Sequence, residues 1–324
     1  MIEIKGLHAG YGRSEIVHGV DLEVRSGEIV ALFGANGAGK TTTLAATVGV
    51  IPRWRGRVLL DGDDTSRLSI PGLYGRGMAY VPEHRGVFAG LTVEENLRLS
   101  SPGMTGKEFR SRFDELATLF PVLAERRIQS AGTLSGGERQ QLAIGRALIR
   151  RPKVLIIDEM SLGLAPVIVS DLFQALRTVA ETGVAMLLVE QHIKLALKYV
   201  QRAYVMTKGR IVATGTAEDF LSDPVLVQAS YLGEQAIESV ERAHDQGPDT
   251  DGRGAPPESM ALAATVARDQ GPAANEKSFG ALVALRQRSP RNGPTADGLI
   301  GLRKAVRARQ TGQDHKESTW AHLS

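Results

Sequence analysis

The sequence predicts an α/β fold built on a mainly parallel sheet, and three observations carry that prediction. Four short apolar runs, residues 29–33, 78–81, 154–157 and 185–189, have the length and composition of strands buried on both faces. Helical patterns lie between them, at 41–50, 106–119, 138–150 and 167–181, and strands alternating with helices pack as a parallel sheet. The first run ends in a glycine-rich loop, Gly34-Ala35-Asn36-Gly37-Ala38-Gly39-Lys40-Thr41, which opens the first helical pattern.

The elements follow in order. The first 27 residues alternate differently, as Ile2-Glu3-Ile4 and Val20-Asp21-Leu22-Glu23-Val24. These read as half-exposed antiparallel strands beside the main sheet. Residues 29–33, the loop and the helix 41–50 then form a strand–loop–helix unit, and the remaining runs and helical patterns continue the alternation. Composition changes once, near residue 234. Residues 235–324 are polar, uneven and charge-mixed, with segments such as Gln246-Gly247-Pro248-Asp249, and have too little apolar periodicity for a second core. The expectation is one domain over 1–234 and a largely disordered tail over 235–324, with no internal repeat.

Composition narrows the function classes. The 324 residues are 42% hydrophobic and contain no Cys, which excludes a disulfide framework, a thiolate metal site and a Cys nucleophile. With 39 basic against 36 acidic residues, the charge is too even to indicate nucleic acid as a partner. No run approaches the ~18 apolar residues of a membrane span, and Met1-Ile2-Glu3-Ile4-Lys5 lacks the apolar core of a secretory signal. A cytoplasmic chain is expected, with any membrane role reached through partners.

The loop after residue 33 fits the pattern G-x-x-x-x-G-K-S/T in its strand–loop–helix context. Gly34, Gly37 and Gly39 let the backbone wrap a phosphate and aim N–H groups inward. The helix that follows presents its positive end, which favours an anion. Lys40 can reach the β- and γ-phosphate oxygens, the Thr41 hydroxyl can ligate Mg²⁺, and Ala35, Asn36, Ala38 and Thr42 complete the cradle. Asp158-Glu159, at the end of the run 154–157, supplies the carboxylates such a site needs. Asp158 would hold the metal and Glu159 would orient or deprotonate the attacking water.

Leu134-Ser135-Gly136-Gly137-Glu138, just before a helical pattern, reads by itself as a capping turn. In this order relative to the two preceding motifs, however, it resembles the signature of ABC-type ATPases, and the resemblance covers essentially residues 1–233. It implies a P-loop (RecA-like) ATPase core, an N-terminal antiparallel β subdomain and a helical signalling subdomain over about 85–150. It also implies ATP and Mg²⁺ as ligands and a head-to-tail pair of ATPase subunits, as homo- or heterodimer. In such a pair Ser135, Gly136, Gly137 and Glu138 would close on the γ-phosphate held by the opposite subunit. By the same resemblance Tyr11 stacks on adenine and His192 contacts the γ-phosphate. Glu83 stands where the family usually has a Gln that ligates Mg²⁺, while Met160 and Ala165 depart from its usual Pro and Asp.

The runs Leu91-Thr92-Val93-Glu94-Glu95-Asn96-Leu97, Ser161-Leu162-Gly163-Leu164-Ala165-Pro166 and Ser230-Tyr231-Leu232-Gly233, with Glu83, resemble one subgroup. It is the second ATP-binding subunit of the high-affinity branched-chain amino-acid importer. That implies transmembrane permease partners, contacted through the segment 83–97 and the helices to about residue 130, and, indirectly, a solute-binding protein. It also implies a peripheral position on the inner face of the cell membrane. The His at position 192, where several members of the subgroup carry Asn, keeps importers of urea, amides or other solutes open. A soluble ABC ATPase of the DNA-repair or ribosome type is disfavoured by the lack of a long insertion and of a second ATPase half.

Overall fold

In the computed structural model the described residues are 1–190 and 192–222; the predicted tail over 235–324 and the run 230–233 lie outside them. Two sheets form the frame. The smaller contains β1 (Ile2–Tyr11), β2 (Ser14–Val24), β4 (Arg53–Leu60) and the short β5 (Asp63–Asp64) in the order β2-β1-β4-β5, all antiparallel. The larger contains β3 (Ile29–Phe33), β6 (Met78–Val81), β7 (Val154–Asp158), β8 (Ala185–Val189), β9 (Arg202–Thr207) and β10 (Arg210–Thr216). Its order is β10-β9-β3-β8-β7-β6, parallel except for the antiparallel edge strand β10. The helices are α1 (Lys40–Thr47), α2 (Ile70–Gly75), α3 (Val93–Leu99), α4 (Gly106–Leu119), α5 (Val122–Glu125), α6 (Gly136–Leu148), α7 (Pro166–Ala180), α8 (Ile193–Ala196) and α9 (Ala217–Ser222), with a 3₁₀ turn at Ala131–Thr133. The mainly parallel α/β core and its antiparallel companion sheet are as expected.

The continuous apolar runs of the large sheet divide by alternation between two cores. Ile29, Ala31 and Phe33 of β3, with Leu155, Ile157, Met186 and Leu188, face the helical side, where α3, α4, α6 and α7 pack. Val30 and Leu32, with Val154, Ile156, Leu187 and Val189, face the small sheet. A strand covered on both faces has no polar side to show, which is why these runs read as unbroken hydrophobic segments. The helix α1 fills the space between the sheets, touching β1, β2, β4 and β7, and seven of its residues are buried, including Lys40.

Element ends follow local chemistry. The helix expected over 41–50 stops at Thr47, because Gly49 adopts a left-handed φ of 79°. The pattern 138–150 begins two residues early, since Ser135 caps α6: its hydroxyl accepts from the Glu138 N–H and the Glu138 carboxylate accepts from the Ser135 N–H. Thr92 with Glu95 and Thr105 with Glu108 form the same reciprocal cap on α3 and α4. Pro166, whose fixed φ suits a first turn, opens α7.

Candidate functional site

Parallel strands put their carboxyl ends on one edge of the sheet, where α/β folds bind ligands. On that edge lie the loop 34–39 after β3, Glu83 after β6, Glu159 after β7 and residue 190 after β8. Register draws them level: Val81 pairs with Ile157, Ile157 with Leu188, and Asp158 with Val189, which pairs with Leu32 of β3. Residues more than 100 apart in the chain therefore meet within one row of the sheet.

The loop is built for close approach. Gly34 holds a φ of 149°, and a Cβ there would sit 2.2 Å from the Met206 carbonyl oxygen on β9, so only glycine fits. Gly39, at φ 104°, is the cap residue of α1. Ala35, Asn36 and Gly37 are exposed, whereas Ala38 is buried. The Lys40 ammonium donates to the carbonyls of Gly34 at 2.8 Å and Ala35 at 3.1 Å, bridging the loop. Burial draws its pKa below the usual lysine value, against the attraction of Glu159 and Asp158. Thr41 faces the surface, and Thr42 turns into the interior.

Asp158, 1% exposed, is the centre of the site. Burial, with the nearby charges of Glu159 and Glu83, pushes its pKa up to about 6, against the stabilising influence of the Thr41 hydroxyl and Lys40. The Tyr80 hydroxyl donates to Oδ2 at 3.5 Å, and the buried Oδ1 has no hydrogen-bond partner. Glu159, half-buried, takes a left-handed φ of 51° while its N–H donates to the Val189 carbonyl at 3.0 Å. A hard cation such as Mg²⁺ seeks oxygen ligands and keeps water and phosphate among them. The unpartnered Asp158 oxygen, the Thr41 hydroxyl and Glu83 suit that role. Among the described residues no group of three or more His, Asp or Glu could hold a metal by protein ligands alone.

The structure thus brings Lys40, Thr41, Glu83, Asp158 and Glu159 together. It leaves Tyr11 (54% exposed, at the end of β1), Ser135 and His192 at the surface. The hydrogen bonds of Ser135 and Glu138 belong to the α6 cap, and Arg126 lies 3.6 Å from the Glu138 carboxylate. Gly136 and Gly137 have a packing role as well: a Cβ on Gly137 would lie 2.8 Å from Ile168, and one on Gly136 3.4 Å from Leu164. The start of α6 is therefore seated on the segment that follows Glu159. Two contacts were not foreseen from sequence. Tyr80 reaches Asp158 because Tyr80 pairs with Ile156 and Asp158 points to the same face two residues on, a relation visible once β6 is set beside β7. The Ser161 hydroxyl donates to the buried Glu190, joining the loop after Glu159 to the end of β8.

A glycine loop on a central strand, a lysine bridging it and a buried acid two strands away define a phosphate-loop α/β nucleotide-binding domain. The family described as ABC transporter matches residues 17–161. The branched-chain amino acid transport ATP-binding protein BraG of Pseudomonas aeruginosa is 42% identical over 233 residues, 72% of this chain and all of that protein. The lipopolysaccharide export ATP-binding protein LptB of Haemophilus influenzae is 36% identical over 238 residues, 72% of this chain and 98% of that one. Among solved structures, an ATP-binding cassette of an ABC transporter in its ADP conformation superposes with a TM-score of 0.64 at 27% identity, over 72% of this chain and 99% of that one. The chain belongs to the ATP-binding subunits of ABC transporters, a family of ATPases. Among the described residues no helix is long and apolar enough to cross a membrane.

Proposed function

We propose that this chain hydrolyses ATP to drive an importer of branched-chain amino acids, working beside permease subunits on the cytoplasmic face of the membrane. The convergence of Lys40, Thr41, Glu83, Asp158 and Glu159 on one strand edge carries the mechanistic part of this reading. The 42% identity to BraG, over that protein's whole length, supports the solute. The 36% identity to LptB favours lipopolysaccharide export as the second reading.

In this mechanism the N–H groups of residues 34–41 cradle the phosphates, and Lys40 exchanges the Gly34 and Ala35 carbonyls for phosphate oxygens. Bound Mg²⁺ would neutralise charge developing on the phosphates, held by Thr41 and Asp158 with Glu83 near. Glu159, set aside from Asp158 by its left-handed backbone, orients the attacking water and accepts its proton. Tyr11 stacks on the adenine and His192 senses the γ-phosphate. Ser135, Gly136 and Gly137, at the positive end of α6, form an anion site that completes the pocket of a second ATPase subunit. The working unit is residues 1–234, with 235–324 as an appended tail.

The test is ATP turnover by the full chain co-purified with its permease partners in lipid, with leucine, isoleucine or valine and their binding protein. Stimulation by these amino acids supports the reading. Turnover indifferent to them but raised by lipopolysaccharide assigns the chain to the second reading.

A further inference from the structure

The strand β6 runs into a tight turn between Pro82 and Gly86, just after Val81. Within it Arg85 adopts a left-handed φ of 62°, its N–H donating to the Pro82 carbonyl at 2.8 Å. A non-glycine residue holds such a conformation only where its surroundings fix it. The side chain shows what fixes it. Arg85 Nε donates to Gln140 Oε1 at 2.7 Å, and Nη2 donates to the Leu162 carbonyl at 3.2 Å. Nη1 lies 3.8 Å from where a Cβ on Gly136 would stand. Gln140 is 1% exposed, on α6 five residues after Ser135. Leu162 follows Glu159 by three residues, and its neighbour Ser161 is bound to Glu190.

One guanidinium therefore ties together the turn bearing Glu83, the helix that opens at Ser135 and the loop that follows Glu159. Each tied segment supplies a group to the proposed reaction, and the three come from distant parts of the chain. We infer that Arg85 is a positioning residue, fixing the helix α6 and the 161–164 loop against the Glu83 turn so that these groups shift as one unit. This rests on the roles proposed above for Glu83, Ser135 and Glu159. Both acceptors are neutral, and they lie on different segments. The planar fork of arginine serves two such acceptors at once, whereas a lysine ammonium on a flexible stem does not hold both in fixed geometry.

The test uses the full chain, measuring kcat for ATP, ATP affinity and unfolding temperature. Arg85→Ala is expected to lower kcat roughly ten- to hundredfold, the scale of a misplaced catalytic group, with ATP affinity within about twofold. Arg85→Lys should fail to restore kcat. Gln140→Met should lower kcat alone and add little to Arg85→Ala, as expected for two residues acting through one contact. The inference is overturned by kcat within about twofold of the parent in Arg85→Ala, or by rescue with Lys. Parallel loss of affinity and unfolding temperature would also overturn it, since that marks general damage. If Arg85→Ala does not fold, Gln140→Met decides: reduced kcat supports the inference and unchanged kcat rejects it. Failure of the underlying ATPase mechanism is separable, because the unmodified chain would then not turn over ATP.

Discussion

At the scale of single residues, Asp158 is a carboxylate held where its charge is least comfortable. Its pKa of about 6, against an ordinary 3.8, means the folded protein keeps this proton to higher pH than the unfolded chain. Stability from this group is therefore fullest below about pH 4 and is lost as pH rises from there to about 6. At about 1.4 kcal/mol per unit the penalty above that window is on the order of 3 kcal/mol. Asp158→Asn, which cannot ionise, should exceed the parent in stability at pH 7.5 without nucleotide or metal, the advantage shrinking towards pH 4. Denaturant melts at the two pH values check this, and an equal difference at both would contradict it. Lys40 has the complementary role. Its ammonium already bridges two carbonyls of the loop, so Lys40→Ala should weaken ATP binding on the order of ten- to hundredfold, as loss of a charged hydrogen bond does. Calorimetric titration measures it.

At the scale of elements, the loop between β3 and α1 depends on neighbours the motif does not contain. Gly34→Ala would drive a methyl into the Met206 carbonyl on β9. It should destabilise the fold by about 1–3 kcal/mol, as overpacking does, and cost nucleotide affinity as well; a melt unchanged from the parent would contradict this. The strand β9 also shows what sequence reasoning can miss. It lies between β3 and β10 in the large sheet, yet Arg202, Tyr204 and Thr207 interrupt its apolar run. The structure resolves the conflict, since the Arg202 guanidinium donates to both carboxylate oxygens of Glu28 and to the Glu23 carbonyl. β4 escaped for a similar reason, carrying Arg53, Arg55 and Arg57 on the open sheet. By contrast, the strands 29–33, 78–81 and 185–189 were legible to the residue because both their faces are buried. The chemistry of the site was legible where one motif carries it. It was hidden where pairing creates it, as with Tyr80 and Asp158, or where a turn does, as with Arg85.

At the scale of the whole molecule, the two sheets and the helix between them place every proposed catalytic group within residues 1–192. A chain ending at residue 234 should accordingly fold and bind ATP as the full chain does, and loss of its cooperative melt would contradict that division. One open face follows from the same architecture. Ser135 is exposed and the first turn of α6 half-buried, and their hydrogen bonds serve the helix cap rather than the loop 34–41. The proposed site, completed across a pair of ATPase subunits, would account for that exposure and would make ATP the link between the subunits. The most direct measurement is the mass of full-length Glu159→Gln in solution, alone and with its co-purified ATPase partner, in ATP with magnesium and in ADP. A site shared between two subunits predicts a gain of one ATPase subunit in ATP, none in ADP, and none in either once Ser135→Arg is present in the paired subunits. An unchanged mass in ATP, in both settings, would contradict it.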